Sequence, residues 1–102
     1  MEHNGIQFNL IAGTLTANGK EIELTKTELK IMYYLFKHTG EIVPRIDLVE
    51  YLWDNEIHID DNTLSVNIMR IREKLRILGW LISYRPNAVW GTRYEIFRLY
   101  ER

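Results

Sequence analysis

The stretch from Asp60 to Gly79 constrains the rest of the chain more than any other. Its apolar residues Leu64, Ile68, Ile71, Leu75 and Leu78 recur at steps of four, three, four and three, the period of a helix that buries one face. At about 100° per residue the opposite face carries Asn62, Val66, Met69, Arg70 and Glu73. Asp60 or Asp61 is placed to cap the start, with Ile59 and Leu64 as a hydrophobic staple around Asp60. Gly79 follows the last periodic residue, where a helix stop is expected. The outward face is not a plain Lys/Glu surface: it mixes an amide, a valine, a methionine and a cation. Taken alone, these residues favour an ordinary amphipathic helix over a contact face.

A chain of 102 residues, 46% hydrophobic and 26% charged, is expected to form one domain with a modest core. It has no cysteine, which excludes disulfides and thiolate metal sites and fits a reducing cytoplasm. No apolar run reaches the length of a membrane span, so no membrane partner is expected. The opening Met1-Glu2-His3-Asn4-Gly5 lacks the features of a signal peptide. The net charge of −1 hides an asymmetry: residues 41–59 carry −4 and residues 60–102 carry +3. A partner that is a polyanion would have to be met by local cations.

Along the chain, residues 1–24 read as a small antiparallel sheet. Ile6, Phe8 and Leu10 alternate with polar residues, Thr14-Leu15-Thr16 follows a glycine, Ala17-Asn18-Gly19-Lys20 is a hairpin turn, and Ile22 and Leu24 alternate again. Thr25 and Glu28 then form a capping box with Leu24 and Leu29 at staple positions, opening a helix that runs through Ile31, Met32, Leu35 and Phe36 and stops near His38-Thr39-Gly40. Glu41-Ile42-Val43 is an extended link. Pro44 opens a second helix, with Ile46, Val49, Leu52 and Trp53 as its buried positions. After Gly79 the period changes to two: Leu81 to Arg85 is a strand, Pro86-Asn87 a turn, and Tyr94 to Phe97 a returning strand, with Ala88 to Arg93 an exposed loop or a distorted strand end.

The order is sheet, three helices, hairpin, which is the outline of an α+β winged helix-turn-helix. The expected organisation is one domain over 1–102: a sheet (1–24), a three-helix core (25–79) and a wing hairpin with its tail (80–102). Catalytic chemistry is not expected. His3, His38 and His58 have no metal-ligand spacing, no phosphate loop or nucleophile motif occurs, and Asp60-Asp61 is accounted for by capping. No cofactor or metal is expected.

The residues themselves resemble the DNA-binding effector domain of OmpR/PhoB-type bacterial response regulators over essentially the whole chain. The likeness is carried by Leu24-Thr25-Lys26-Thr27-Glu28, by Leu52-Trp53, and by Asp61-Asn62-Thr63-Leu64-Ser65-Val66-Asn67-Ile68 leading to Arg70-Ile71-Arg72-Glu73-Lys74-Leu75. The Asp-Asn-Thr-Leu-x-Val-Asn-Ile run is similar to the branch that answers cell-envelope and antimicrobial-peptide stress in Gram-positive bacteria. The resemblance implies a transcription factor domain that lays its third helix, residues 60–78, in the major groove of duplex DNA. The family normally adds an N-terminal phospho-acceptor receiver, which is not read in these residues, so an isolated effector domain or a single-domain relative is expected. The alternative is a winged-helix module that binds protein and not DNA.

Carried onto this sequence, the resemblance implies that Val66, Asn67 and Arg70 face base edges. Arginine can pair with guanine, asparagine with adenine, and valine can pack on a thymine methyl. Asn62, Thr63, Arg72 and Trp53 match positions near the sugar-phosphate backbone. Asn62 and Thr63 serve equally as first-turn caps, Arg72 as a solvated flank residue, and Trp53 as a core residue. The family often has another arginine where Met69 stands. The wing departs from the family pattern, reading Val89-Trp90-Gly91-Thr92-Arg93-Tyr94. Arg85 or Arg93 can enter a minor groove, while Trp90 packs on the sugar-phosphate edge or anchors the wing. The acidic loop 54–59 corresponds to a segment that can meet RNA polymerase, and is also simply a solvated turn. Two copies on tandem half-sites are the expected arrangement on DNA.

Overall fold

The computed structural model describes residues 2–3, 5–39, 41–85 and 93–98. It begins with a four-stranded antiparallel sheet in sequence order, β1 (Glu2–His3), β2 (Ile6–Asn9), β3 (Thr14–Ala17) and β4 (Lys20–Glu23). The pleat turns Ile6, Phe8, Leu15 and Ala17 inward, all buried. Asn18 and Gly19 take positive φ (52° and 74°) and set Ala17 opposite Lys20, as a two-residue hairpin requires. Leu10 does not continue β2. The strand ends at Asn9, whose Oδ1 accepts hydrogen bonds from the Ile11 and Ala12 N–H groups. This side-chain turn carries Leu10 and Ile11 out into solvent.

Helix α1 (Lys26–Lys37) starts as the capping box demands: the Thr25 hydroxyl accepts from the Glu28 N–H, and Glu28 Oε1 accepts from the Thr25 N–H. Leu29, Ile31, Met32, Leu35 and Phe36 are buried, so α1 runs through the centre of the core. Phe36 meets Phe8 of the sheet edge-on at 5.1 Å and Trp80 at 5.0 Å. The helix closes at His38; Gly40, the expected cap, lies outside the described residues.

A short strand, β5 (Val43–Pro44), leads into α2 (Arg45–Asp54), with Pro44 as its N-cap. The packing of α2 corrects one expectation. Leu52 is buried as expected, but Ile46 and Trp53 are 56% and 52% exposed, and Leu48 takes their place in the core. The cause is geometric. Ile46, Val49 and Trp53 form one helical stripe and Leu48 with Leu52 another, and at about 100° per residue their centres lie roughly a third of a turn apart, with Val49 between them. Both have helical spacing, and tertiary packing centred the buried face on the second, leaving Val49 half-buried at its margin against the core.

Helix α3 (Asp61–Ile77) follows, with Leu64, Ile68, Ile71, Leu75 and Leu78 all buried. Gly79 takes φ +82°, the left-handed conformation that ends the helix. Strands β6 (Trp80–Arg85) and β7 (Arg93–Arg98) form the hairpin, and β7 also pairs with β5, giving the order β5-β7-β6. Trp80, Ile82 and Tyr94 from this sheet close the core beneath α3, which joins residues from β2 to β7 in one cluster.

Candidate nucleic-acid interface

Local chemistry fixes the start of α3. Asp60 is the cap: its Oδ1 accepts from the Thr63 N–H at 2.7 Å. Hydrogen bonds from the Thr63 backbone and hydroxyl hold its carboxyl below the usual carboxylate range. Asp61 does different work, pairing with the Arg45 guanidinium at the first residue of α2. The two helices of the helix-turn-helix are thus tied together at their N-termini. Between them, α2 ends at Asp54, Glu56 takes a left-handed φ of 63°, and Ile59 is buried before the cap. Asp54, Glu56 and His58 in this loop are exposed.

With one face of α3 sealed against the core, the other is left free of the fold. Asn62, Thr63, Ser65, Val66, Met69, Arg70, Arg72 and Glu73 are exposed. Val66 and Arg70, one turn apart, share this outward face, and Met69 beside them is 62% exposed. Asn67 is not brought onto it. It is 8% exposed, and its Nδ2 donates to the Thr63 carbonyl at 2.9 Å. Thr63 is therefore engaged at three points, by the Asp60 carboxylate on its N–H and hydroxyl and by Asn67 on its carbonyl. Arg72 lies on the flank, where Ser65, Ile68, Met69, Arg72 and Tyr94 line a cleft of about 190 Å³ between α3 and β7.

Trp53 stands outside the core on α2, its ring centroid 4.5 Å from that of His58. At the root of the wing, Arg85 and Arg93 are directly opposed across β6 and β7. Trp90 and the Pro86-Asn87 turn lie outside the described residues. Among the described residues no group of His, Cys, Asp and Glu is arranged to hold a metal ion, and no helix is long and apolar enough to cross a membrane.

Two residues that position this surface were not legible in the sequence. Arg45 anchors Asp61, and Lys74 reaches back to the buried Glu28 carboxylate at 2.6 Å and to the Glu23 carbonyl at 3.0 Å. Both pairs join separate elements, and neither has a local spacing that could announce it.

Residues 19–84 match the family described as transcriptional regulatory protein, C terminal. The chain is 35% identical over 98 residues to the response regulator SaeR of Staphylococcus epidermidis, covering 96% of this chain and 42% of that protein. It thus spans less than half the length of that relative. Among solved structures it is similar to the C-terminal domain of the nisin resistance regulator NsrR, a lantibiotic response regulator. The identity is 33% and the TM-score 0.74, over 89% of this chain and 92% of that one. The DNA-binding domain of the response regulator AdeR, solved in complex with an intercistronic region, shares the fold at 17% identity and a TM-score of 0.66, over 92% of this chain and 96% of that one. The capped third helix, the helix pair before it and the hairpin after it are thus those of a winged helix, and the chain belongs to the family of transcriptional regulatory protein C-terminal domains, the OmpR/PhoB-type DNA-binding effector domains of response regulators.

Proposed function

We propose that this domain binds duplex DNA sequence-specifically, as the effector part of a two-component response regulator, by laying α3 in the major groove. The observation that carries this reading is the outward face of α3, where Val66, Met69 and Arg70 are exposed on a helix whose other face is sealed in the core. Arg70 reads guanine O6 and N7, and Val66 packs on a thymine methyl. Asn67 acts from beneath, its amide holding the first turn through Thr63. Asn62, Thr63, Arg72 and Trp53 lie along the sugar-phosphate backbone and set register. Arg85, Arg93 and Trp90 belong to the wing and meet the minor groove or its edge. The loop 54–59, with Asp54 and Glu56 exposed, is the surface offered to RNA polymerase. Two copies occupy tandem half-sites, in the cytoplasm where the DNA is. No cofactor and no chemistry of the domain's own enter this function.

Selection of bound sequences from a random duplex pool, followed by titration across salt, tests the reading. The expected result is an enriched motif whose affinity falls as salt rises, because phosphate contacts release counterions. Absence of duplex binding even at low salt would overturn it and favour a winged helix that binds protein.

A further inference from the structure

Met69 is the most exposed apolar side chain among the described residues of α3, at 62%, and nothing in the core requires it. It stands one turn from Val66, itself 42% exposed, so the two make a continuous apolar strip along the outward face. Cations flank the strip, Arg70 on the adjoining position and Arg72 at the edge of the cleft. A strip bordered by guanidinium groups is charge-complementary to the walls of a DNA groove. The cleft of Ser65, Ile68, Arg72 and Tyr94 opens beside Met69, leaving room for an unbranched thioether chain to adjust its course.

In the major groove the acceptors of guanine and adenine call for a donor, which methionine lacks. The one apolar projection that a base edge offers there is the C5-methyl of thymine. We propose that Met69 is a specificity-determining residue that reads a thymine methyl next to the one met by Val66, so that this domain selects neighbouring thymines in its half-site. The inference rests on the DNA-binding reading above and deepens it. A cation at this position would select an acceptor; the methionine replaces that with a demand for a methyl group. Arg70 on the other side of Val66 then bounds the apolar reading with a guanine.

The test uses the chain as it stands and the duplex recovered from the random pool. Each thymine is replaced singly by 2′-deoxyuridine, which keeps the base pair and removes only the methyl. Two neighbouring positions should each lose about fourfold in affinity, the worth of one buried methyl-sized group. In Met69→Ala the loss at one of the two should vanish while the other remains, and Arg70→Ala should leave both in place. Coupling of this kind assigns the contact to the side chain and not to the duplex. A flat deoxyuridine scan, or losses that are the same in Met69→Ala as in the parent, would overturn the inference and leave DNA binding intact. Failure of the pool to yield any bound duplex at low salt is a different result: it removes the DNA-binding reading, and this inference with it. Met69 is exposed, so the thermal melt of Met69→Ala should match the parent and exclude unfolding as the cause.

Discussion

The Lys74 ammonium reaches from the flank of α3 to within 2.6 Å of Glu28 Oε1, a carboxylate that is only 1% exposed in the first turn of α1. The same oxygen accepts from the Thr25 N–H, so one buried acceptor serves both the cap of α1 and the clamp on α3. Removing the cation leaves a charge in the interior with half its partners gone. Lys74→Met should therefore destabilise the domain by about 3 kcal/mol. The double variant Lys74→Met with Glu28→Gln should recover much of that loss, since the amide still offers an oxygen to Thr25. Urea melts of the two variants and the parent decide the matter: equal midpoints would show the pair to be idle.

The same carboxylate sets a pH dependence. Burial alone would push the Glu28 carboxyl up, but hydrogen bonds from Lys74 and Thr25, with the Lys74 charge, outweigh it and hold it below the usual range. A depressed folded value means that this stabilisation is complete above the ordinary carboxylate value and is lost as pH falls through the lower folded one. Melting temperature should fall in that acid window, and less steeply in Glu28→Gln than in the parent. Parallel curves for the two would exclude Glu28 as the group responsible.

The two stripes of α2 make opposite predictions. Leu48→Ala should cost about 2–5 kcal/mol by leaving a cavity in a small core, and so should Leu75→Ala or Ile68→Ala in α3. Ile46→Ala should stay within about 0.5 kcal/mol, as exposed substitutions do. A melt in which Ile46→Ala is as damaging as Leu48→Ala would mean that α2 is rotated on its axis.

On the DNA face, Arg70→Ala should weaken specific binding by about 1–3 kcal/mol and relax the choice at one base pair. Asn67→Ala should behave differently, lowering stability by about 1 kcal/mol, the net worth of one hydrogen bond, with base preference unchanged. A loss of adenine preference in Asn67→Ala would return that amide to the reading face.

Half-site spacing tests the tandem arrangement. Direct half-sites about 10 base pairs apart put two third helices on the same side of the duplex, and about 5 further base pairs turn one of them away. The first spacing should bind more tightly in a gel-shift series. Identical affinity at all spacings would remove paired binding and leave single-site recognition untouched.

What the sequence made legible was local. The stripe from Leu64 to Leu78, the Thr25–Glu28 box and the Asn18-Gly19 turn each announce themselves within a few residues, and each is present in the structure. What it could not give was the choice between equal local patterns, or pairs made by distant residues. Ile46-Val49-Trp53 and Leu48-Leu52 have equally helical spacing, so only the neighbouring helices could decide. Asn67 sits at the border of the outward face, and one hydrogen bond to Thr63 determines which way it goes. Lys74 and Glu28 belong to different helices, and their meeting is a product of the fold. The outward positions Val66 and Arg70 follow directly from the helical period, which is why they were readable in advance.

One pairing bears on how such a domain is made. Val43, just ahead of α2, lies opposite Tyr94 of β7, and Tyr94 is 1% exposed in the core. The strand that completes the interior is thus separated from its partner by about half the chain. Contacts of that separation slow folding, because a long loop must close before they form. On the ribosome the N-terminal sheet and helices α1 to α3 emerge first, and β7 follows only after all of them. The domain thus becomes competent late and as a whole: a nascent chain stopped short of Tyr94 carries the third helix and Trp80 and Ile82 beneath it, but not the strand that joins them to Val43 and completes the core.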